Sequence, residues 1–491
     1  MTRKKFSRRD FLRDVGLTGL GLALTAAGCQ PKTVEVEKEV TRVIEVEKVV
    51  KETVIVEGTP KVVEKVVKET VVVEPTAVPP TAVPEPKPAK VVMMGVGTGE
   101  FSEDELDAFL SQSKYVSEVE RVEGDSTRLR AMWAAGTPPD VWRASGADVP
   151  LYVSLDWPLD LTEYFNTSEV LKPEDMAPAV GYFQYKGGWY GMHKDFSPDM
   201  SLQINVAAFE EAGVPVPEEK VIYTYQDAAE WAYALTKKEG ERTVRIGWAD
   251  NGWWDGILQT VLMEEEQDIF VDDFARANIQ DNETVVAVLT FYAQLAKDNV
   301  IWNPLNPSPS WPGDDLVAGR AGFIRYGYWM HGSVIGAEDP EPFEMRPALS
   351  WGGKVAANPP LGGAGWFIAK PTQVPVSAWE MFEYYMGDEP ARNRARSGWG
   401  LPALKSMFPL VPQGTALDKQ WYDSVMWELE NTVQKPRQLN PFIATGNINS
   451  AWDSNLELYL KDQITLEEAI ANVDQEVNNA LKERIDALYG S

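Results

Sequence analysis

Residues 90–96 read Lys-Val-Val-Met-Met-Gly-Val, and this stretch decides the fold class. A short apolar run that ends at a glycine predicts a buried strand followed by a tight turn. A helix is predicted next, from Ser102 to Ser113, because Ser102 and Glu105 have the spacing of a capping box. Strands and helices go on alternating: the sequence predicts strands at 139–142 and 244–248 and helices at 207–212, 225–237, 285–296, 376–386 and 466–488. This alternation predicts an α/β fold with largely parallel sheets.

The chain from Val91 onward is expected to form two lobes. It is longer than the roughly 250–300 residues at which a single hydrophobic core stops growing. All 18 tryptophans of the 491-residue sequence lie in this part. The sequence has 74 acidic and 46 basic residues, for a net charge of −28. Such a surface repels nucleic acids and anionic lipid headgroups, so neither is an expected partner.

Residues 29–90 differ in composition from the rest and are predicted to form a stalk. Valine, glutamate and lysine dominate, and the sequence of residues 48–54 recurs at 65–71. A proline-rich run at 75–84 predicts an extended, semi-rigid segment. Five valines loosely fit a heptad, which is typical of a coiled coil: Val36, Val40, Val43, Val50 and Val54. A disordered spacer fits equally well, since β-branched residues weaken an isolated helix.

Residues 1–28 are predicted to be a signal peptide. A basic start is followed by an apolar stretch at 15–25, which is too short to span a bilayer. Arg8 and Arg9 resemble the twin-arginine export motif. Residues 24–29, Leu-Thr-Ala-Ala-Gly-Cys, resemble a lipobox, which would make Cys29 the lipidated N-terminus. The alternative is a cleaved signal with an incidental cysteine. Since Cys29 is the only cysteine, we expect a lipid-anchored protein facing the extracytoplasmic side, at the cell surface or in the periplasm, without intrachain disulfides.

Catalysis has little support in the sequence. His193 and His331 are the only histidines, which argues against a histidine-rich metal site and leaves few candidates for a catalytic triad. No nucleophile elbow or HExxH motif occurs. Carboxylate pairs of the kind that glycosidases use would arise by chance in so acidic a chain. We expect a non-enzyme without cofactor or metal, while a secreted glycoside hydrolase and a stalked adhesin remain as alternatives.

A series of motifs in fixed order carries a family resemblance. The motifs are residues 134–141 (Ala-Ala-Gly-Thr-Pro-Pro-Asp-Val), 188–192 (Gly-Trp-Tyr-Gly-Met), 202–213, 318–323 with Tyr328 and Trp329, 362–370, 400–403 and 465–469. In this order they resemble the extracellular solute-binding proteins of carbohydrate ABC importers, of the maltodextrin-binding type. Ile204 stands where that family usually has tyrosine, and Met192-His193 replaces its usual Ile-Pro.

The resemblance implies a two-lobed, type II periplasmic-binding-protein-like fold with a hinge. Lobe 1 would comprise about 91–203 and 361–398, and lobe 2 about 204–360 and 399–491. It also implies a function: the lobes close on a sugar or related polyhydroxylated solute, and the closed form delivers it to the permease of an ABC importer.

Sugar binding requires flat aromatic faces and polar groups that donate and accept hydrogen bonds. The candidate ligand-binding residues are Trp253, Trp254, Trp329, Trp366, Trp399, Asp195, Asp250, Asn251, Ser145, Gly146, Thr98 and Asn447. Trp329 and Asp195 are chosen because they match cleft positions of the family. Asn447 falls in a predicted loop at 445–450 that also matches a ligand-proximal region. Each tryptophan has the alternative of being an ordinary core residue.

Overall fold

The computed structural model describes residues 43–56, 59–72, 86–95, 97, 100–124, 126–240, 242–249, 254–353, 355–359, 363–434 and 440–489. The chain divides into two compact units, Met1–Pro84 and Glu85–Ser491. The predicted signal peptide and Cys29 lie outside the described residues. Within those residues, no helix has both the length and the apolar character needed to cross a membrane.

The described strands, in chain order, are β1 Val43–Val56, β2 Thr59–Val72, β3 Ala89–Met94, β4 Val116–Val122, β5 Val141–Ser145, β6 Gln184–Tyr185, β7 Gly188–Trp189, β8 Gly191–His193, β9 Asp195–Phe196, β10 Leu202–Asn205, β11 Lys237–Glu239, β12 Arg242–Trp248, β13 Phe270–Val271, β14 Arg276–Ala277, β15 Ala321–Arg325, β16 Phe343–Arg346, β17 Ala364–Ile368 and β18 Leu401–Pro402.

The described α-helices are α1 Glu103–Gln112, α2 Ser126–Ala134, α3 Val149–Ser154, α4 Thr162–Thr167, α5 Val206–Ala212, α6 Tyr225–Leu235, α7 Trp254–Glu264, α8 Glu283–Lys297, α9 Pro312–Val317, α10 Met330–Val334, α11 Pro375–Gly387, α12 Glu389–Ser397, α13 Ala416–Asn431, α14 Thr445–Leu460 and α15 Leu466–Tyr489. Short 3-10 helices occupy Gly146–Asp148, Pro173–Asp175, Pro178–Phe183 and Lys405–Leu410.

The described part of the first unit is an antiparallel hairpin. Strands β1 and β2 have 14 residues each and pair along their whole length, from Val43 opposite Val72 to Val56 opposite Thr59. The structure therefore has strand β1 at Val43, Val50 and Val54, where the valine spacing suggested a coiled coil, while Val36 and Val40 lie outside the described residues. Frequent β-branched residues explain the difference, since they favour extended backbone over helix.

The first five-stranded sheet belongs to the second unit and has the order β4-β3-β5-β17-β8. Strand β3 is parallel to both β4 and β5, whereas β17 is antiparallel to β5 and β8. Val91 and Met93 point into its core and are fully buried. Helix α1 begins with the predicted capping box, since the Ser102 hydroxyl accepts from the Glu105 amide and the Glu105 carboxylate accepts from the Ser102 amide.

The second five-stranded sheet has the order β11-β12-β15-β10-β16. Only the β12–β15 pair is parallel among its described strand pairs. Helix α6 packs on β12 where Gly247 leaves room for the Ala232 carbonyl. Helices α8, α14 and α15 bury a second apolar core against this sheet.

The prediction of largely parallel sheets is wrong, because the sheets are mixed. The reason is the path of the chain between the lobes. Strand β17 enters the first sheet on the return from the second, and it runs against both of its neighbours. Strand β10 enters the second sheet in the same way and is antiparallel to β15 and β16. Local periodicity predicts a strand but carries no information on its direction in a sheet.

The chain passes between the two sheets three times, and these passages form the hinge. The first passage joins β8 to β10, the second joins β16 to β17, and the third leads from α12 to α13. Strands β9 and β18, on the first and third passages, pair antiparallel to each other. On the third passage, Ala403, Leu404 and Met407 pack in the core of the first sheet, whereas Leu401 packs in a core with residues of the second sheet. The predicted lobe bounds stay a prediction.

Candidate functional site

A cavity of about 370 Å³ opens beside the hinge, between the two lobes. Its wall is built from the first passage, the end of β5, the start of β17 and two tryptophan-bearing turns. The lining residues are Arg143, Lys194, Asp195, Phe196, Ser197, Asp199, Trp329, Gly363, Ala364 and Trp399. Both lobes contribute, so the cavity changes shape when the lobes move against each other.

Trp329 contributes an aromatic face from the second lobe. It lies just before α10, and its ring packs 5.0 Å from the ring of Tyr326, at the end of β15. Its indole Nε1 donates to Asp199 Oδ1 at 3.3 Å, which ties the ring to the first passage. The orientation of Trp329 is therefore set on two sides, and a flat ring held in this way suits stacking on a ligand.

Trp399 contributes the other aromatic face and is the most accessible ring in the cavity, with 41% of its surface exposed. It follows Gly398, which ends α12 in the left-handed conformation with φ 68°. Its ring lies against Gly332, where an added Cβ would come within 2.6 Å of the indole. The missing side chain at Gly332 thus makes room for Trp399 at the cavity wall.

Four charged groups form a network across the cavity wall. The Arg143 guanidinium lies 3.1 Å from Glu100, and the Lys194 ammonium lies 3.2 Å from Glu100 and 2.9 Å from Asp195. The Lys194 side chain is only 3% exposed, so its charge needs these partners. Within this network the two cations offset the two carboxylates, and Asp199 adds a third carboxylate to the cavity wall.

His193 lies directly beneath this network and is fully buried. Burial lowers the pKa of the imidazole to about 4, although nearby Asp195 acts in the opposite direction. The ring therefore stays neutral at physiological pH. It packs edge-on against Phe183 at 4.7 Å, and neither ring nitrogen has a hydrogen-bond partner in the described part of the chain.

Two further cavities continue the cleft outward from the hinge. A middle cavity of about 400 Å³ shares Arg143 and Ala364 with the hinge cavity. An outer cavity of about 720 Å³ shares Leu129, Asp148 and Tyr152 with the middle one. Residues of the first lobe and of α14 and α15 face each other across the outer cavity. The three cavities form one elongated cleft.

Aromatic rings also line the outer cavity. Trp157 and Tyr152 stack with ring centroids 5.8 Å apart, and Trp133 supports Trp157 from behind at 4.7 Å. Near this end the Ser154 hydroxyl donates to the Pro441 carbonyl at 2.9 Å, which connects the first lobe to the second. The cleft therefore has an aromatic pair near each end.

The structure brings some of the predicted site residues together. Trp329, Trp399 and Asp195 line the hinge cavity, Ser145 lines the middle one and Asn447 the outer one. Asn447 lies in the first turn of α14, so the predicted loop at 445–450 is wrong: the helix begins at Thr445.

Other predicted residues lie elsewhere or are not described. Trp366 is fully buried in the first core, 5.2 Å from Tyr385, and its ring does not reach the cleft. Gly146 is buried beneath Phe183, where an added Cβ would come within 2.8 Å of that ring. Thr98, Asp250, Asn251 and Trp253 lie outside the described residues, as does the side chain of Trp254.

Sequence reasoning missed several groups of the cleft wall: Glu100, Arg143, Lys194, Asp148, Tyr152 and Trp157. None of them stands in a recognisable motif. Arg143 lies on β5 and Lys194 follows β8, and both strands flank β17. The positions of Arg143 and Ser145 at the end of a predicted strand were the one signal that could have pointed to this wall.

Two α/β lobes joined by three passages, with an elongated cleft between them, define a two-lobed binding protein. The chain belongs to the bacterial extracellular solute-binding protein family, and its residues 106–419 match the model of that family. The prediction of an extracellular solute-binding protein from the motif order is thereby confirmed. No curated protein matches the sequence significantly.

Solved structures share the fold across the described globular unit. The ABC substrate-binding protein Lmo0181 from Listeria monocytogenes, in complex with cycloalternan, is 20% identical with a TM-score of 0.65, covering 81% of this chain and 100% of that chain. A Thermotoga lettingae solute-binding protein bound with α-D-tagatose is 19% identical, with a TM-score of 0.62 and coverage of 80% and 99%. The sugar-binding protein MalE from Xanthomonas citri is 19% identical, with a TM-score of 0.61 and coverage of 81% and 98%. These identities support the fold alone.

Proposed function

We propose that this protein is the extracytoplasmic substrate-binding lipoprotein of an ABC importer. It captures a sugar or a related polyhydroxylated solute by lobe closure and delivers it to the permease without catalysing a reaction. The observation that carries the proposal is the hinge cavity, in which Trp329 of the second lobe and Trp399 of the third passage face an ion-paired wall of the first lobe. A ligand that contacts both lobes stabilises the closed form, and that differential contact drives the population shift.

The chemistry of the cavity favours a neutral polyhydroxylated ligand. Sugar rings present C–H faces to the aromatic rings of Trp329 and Trp399 and hydroxyl groups to charged donors and acceptors. Because Glu100 and Asp195 offset the Arg143 and Lys194 charges and Asp199 adds a further carboxylate, the wall has no excess positive charge for an acidic or phosphorylated ligand. Cycloalternan, tagatose and mannitol, the ligands bound in three similar solved structures, are all neutral polyhydroxylated compounds.

The length of the cleft favours an oligosaccharide. The outer cavity alone, at about 720 Å³, lies within the roughly 300–1,000 Å³ of a whole small-molecule site. Trp329 and Trp399 at the hinge and Tyr152 and Trp157 in the outer cavity place aromatic groups at two separate points along the cleft. A monosaccharide would occupy only one of them, whereas an oligosaccharide reaches both.

The membrane attachment is proposed from the sequence. Cys29, at the end of a lipobox-like segment, would carry the lipid, and Arg8 and Arg9 would direct export by the twin-arginine route. Residues 29–90 would then hold the binding unit at a distance from the membrane. Radiolabelled palmitate incorporation that is lost in Cys29→Ser tests this anchor.

A thermal-shift screen of residues 85–491 tests the binding function. The panel comprises monosaccharides, oligosaccharides, polyols, sugar acids, amino acids and short peptides. Ligand at about 100 times its Kd adds about 2.7 kcal/mol of stability, which is readily visible as a rise in Tm. We expect a rise with neutral sugars only. A panel-wide lack of response, combined with binding to polysaccharide or to cell surfaces, would instead favour a stalked adhesin.

A further inference from the structure

Glu428 is a fully buried carboxylate near the hinge that the proposed ligand site does not use. It lies on α13, near the end of the helix. Its Oε1 accepts from the Ala348 amide at 2.6 Å and from Asn358 Nδ2 at 2.9 Å, and its Oε2 accepts from the Ser201 hydroxyl. Three donors from two separate passages thus converge on one carboxylate.

Hydrogen bonds around Glu428 join the first and second passages to each other. Asn358 Oδ1 accepts from the Met200 amide at 2.7 Å, and Asn358 Nδ2 also donates to Ser201 Oγ at 3.0 Å. The backbone amide of Asn358 donates to the carbonyl of Val433, which lies just beyond α13, at 3.0 Å. Any rotation of the lobes about these passages must be accommodated by the hydrogen bonds of Glu428.

The charged groups on the surrounding elements bond to other partners. They are Asp199 on the first passage, Glu264 on α7, Arg325 on β15 and the Glu344–Arg346 pair on β16. Among the described residues, neither Arg325 nor Arg346 hydrogen-bonds to the Glu428 carboxylate. Burial raises the pKa of Glu428 from 4.5 to about 7, with its three hydrogen bonds acting in the opposite direction.

The atoms around Glu428 allow two hydrogen-bond arrangements. In the ionised form the Ser201 hydroxyl donates to the carboxylate. In the protonated form the carboxyl group donates to Ser201 Oγ, which frees that hydroxyl to donate to the Pro198 carbonyl, 3.5 Å away on the same passage. Protonation therefore adds a bond within the first passage and removes a buried charge, and both effects favour the packed hinge.

We propose that Glu428 is a positioning residue of the hinge whose protonation state sets how readily the first and second passages open. The inference rests on the proposed function in one respect: under that function, motion of the hinge serves ligand capture. Opening exposes the carboxylate to water, so ionisation favours the open passages and protonation favours the packed ones. The position of the hinge equilibrium then depends on pH near neutrality.

Hydrogen-exchange mass spectrometry of the ligand-free full chain tests this inference. The relevant peptides contain the Met200 and Ala348 amides, and their rates are corrected for intrinsic exchange at each pH. If opening returns the Glu428 pKa from about 7 to 4.5, protection of these amides falls about tenfold between pH 6 and pH 8. In Glu428→Gln, whose amide mimics the protonated group, protection should be independent of pH and equal to the wild-type value at low pH.

Glu380→Gln is the matched control. Glu380 accepts from the Ser113 hydroxyl and from the Lys114 and Tyr115 amides, in the first lobe, so the Gln substitution perturbs a similar set of bonds outside the passages. It should leave the pH profile of the Met200 and Ala348 peptides unchanged. If Glu428→Gln does not fold, Ser201→Ala is the second variant: it removes one of the bonds that lower the Glu428 pKa, so the fall in protection between pH 6 and pH 8 should become larger than tenfold.

A pH profile that is flat in the wild type, or equally steep in the wild type and the variant, would overturn the inference. A loss of protection of equal size at both pH values would mark Glu428 as merely structural and would overturn it as well. Because no ligand is added, these outcomes are independent of whether the thermal-shift screen finds a sugar.

Discussion

Two tryptophans, Trp399 and Trp366, provide a direct test of which rings form the ligand site. Both were predicted as ligand contacts, but Trp399 is 41% exposed in the hinge cavity and Trp366 is fully buried. Replacing Trp399 with alanine removes one stacking face. An aromatic contact contributes about 0.5–1.5 kcal/mol beyond the area it buries, so Kd should rise about tenfold. The exposed ring contributes little to folding, and the urea midpoint should stay nearly unchanged.

Trp366→Ala should show the opposite pattern. Truncating a fully buried tryptophan costs about 3–5 kcal/mol of unfolding free energy, because the cavity left behind does not fully collapse. The affinity of the remaining folded protein for sugar should be close to that of the wild type. Urea denaturation and isothermal titration with the sugar found in the screen measure both quantities on both variants. A tenfold affinity loss in Trp366→Ala without loss of stability would refute the assignment of the two rings.

Four further predictions follow from the same contacts. Trp157→Ala, at the mouth of the cleft, should weaken binding of a tetrasaccharide about tenfold and leave binding of the corresponding monosaccharide unaffected. Titration with a series of sugars of increasing length measures both affinities, and equal losses for the two sugars would contradict separate aromatic contacts at the two ends of the cleft. The pKa of Glu428 in the folded state is raised to about 7, so the unfolding free energy of the wild type should fall by about 3 kcal/mol as pH rises from 4.5 through 7. In Glu428→Gln, denaturation curves should show no such dependence of the unfolding free energy on pH. The pKa of His193 is lowered to about 4, so stability should fall by about 3 kcal/mol as pH drops from 6.5 through 4, and His193→Phe should remove this acid-side loss. Gly247→Ala should destabilise the second lobe by several kcal/mol, since a methyl group there overlaps the Ala232 carbonyl; unchanged melting would show that α6 shifts freely on β12.

The sequence predicted the elements whose signals are local. The capping box at Ser102 and Glu105 begins α1 as expected, and the predicted helix at 285–296 lies within α8, Glu283–Lys297. Ordered short motifs also identified the family, because several weak matches in the right order are informative together. The spacing of apolar residues determines whether an element is a helix or a strand, and the family determines which elements pack together. For these two reasons the fold class was predictable.

The site was only partly predictable, because its residues meet through long-range pairing. Lys194 and Arg143 are placed together by strands on either side of β17, and no local pattern records that arrangement. Whether an aromatic residue is buried or exposed also cannot be read from the local sequence. Trp366 and Trp399 both follow glycine-rich stretches, yet one is a strand residue facing the core and the other follows a helix end.

The position of β17 in the middle of the first sheet has a consequence for biosynthesis. Strand β17 lies between β5 and β8, but its residues, Ala364–Ile368, come after every strand of the second sheet in the chain. While the ribosome is still making the second lobe, the first sheet lacks the strand between β5 and β8, and the facing edges of these two strands have no partner. Such edges are prone to pair with other chains. The nascent chain therefore depends on protection from aggregation until residue 368 has emerged, and a fragment that ends before residue 364 should be insoluble rather than half folded.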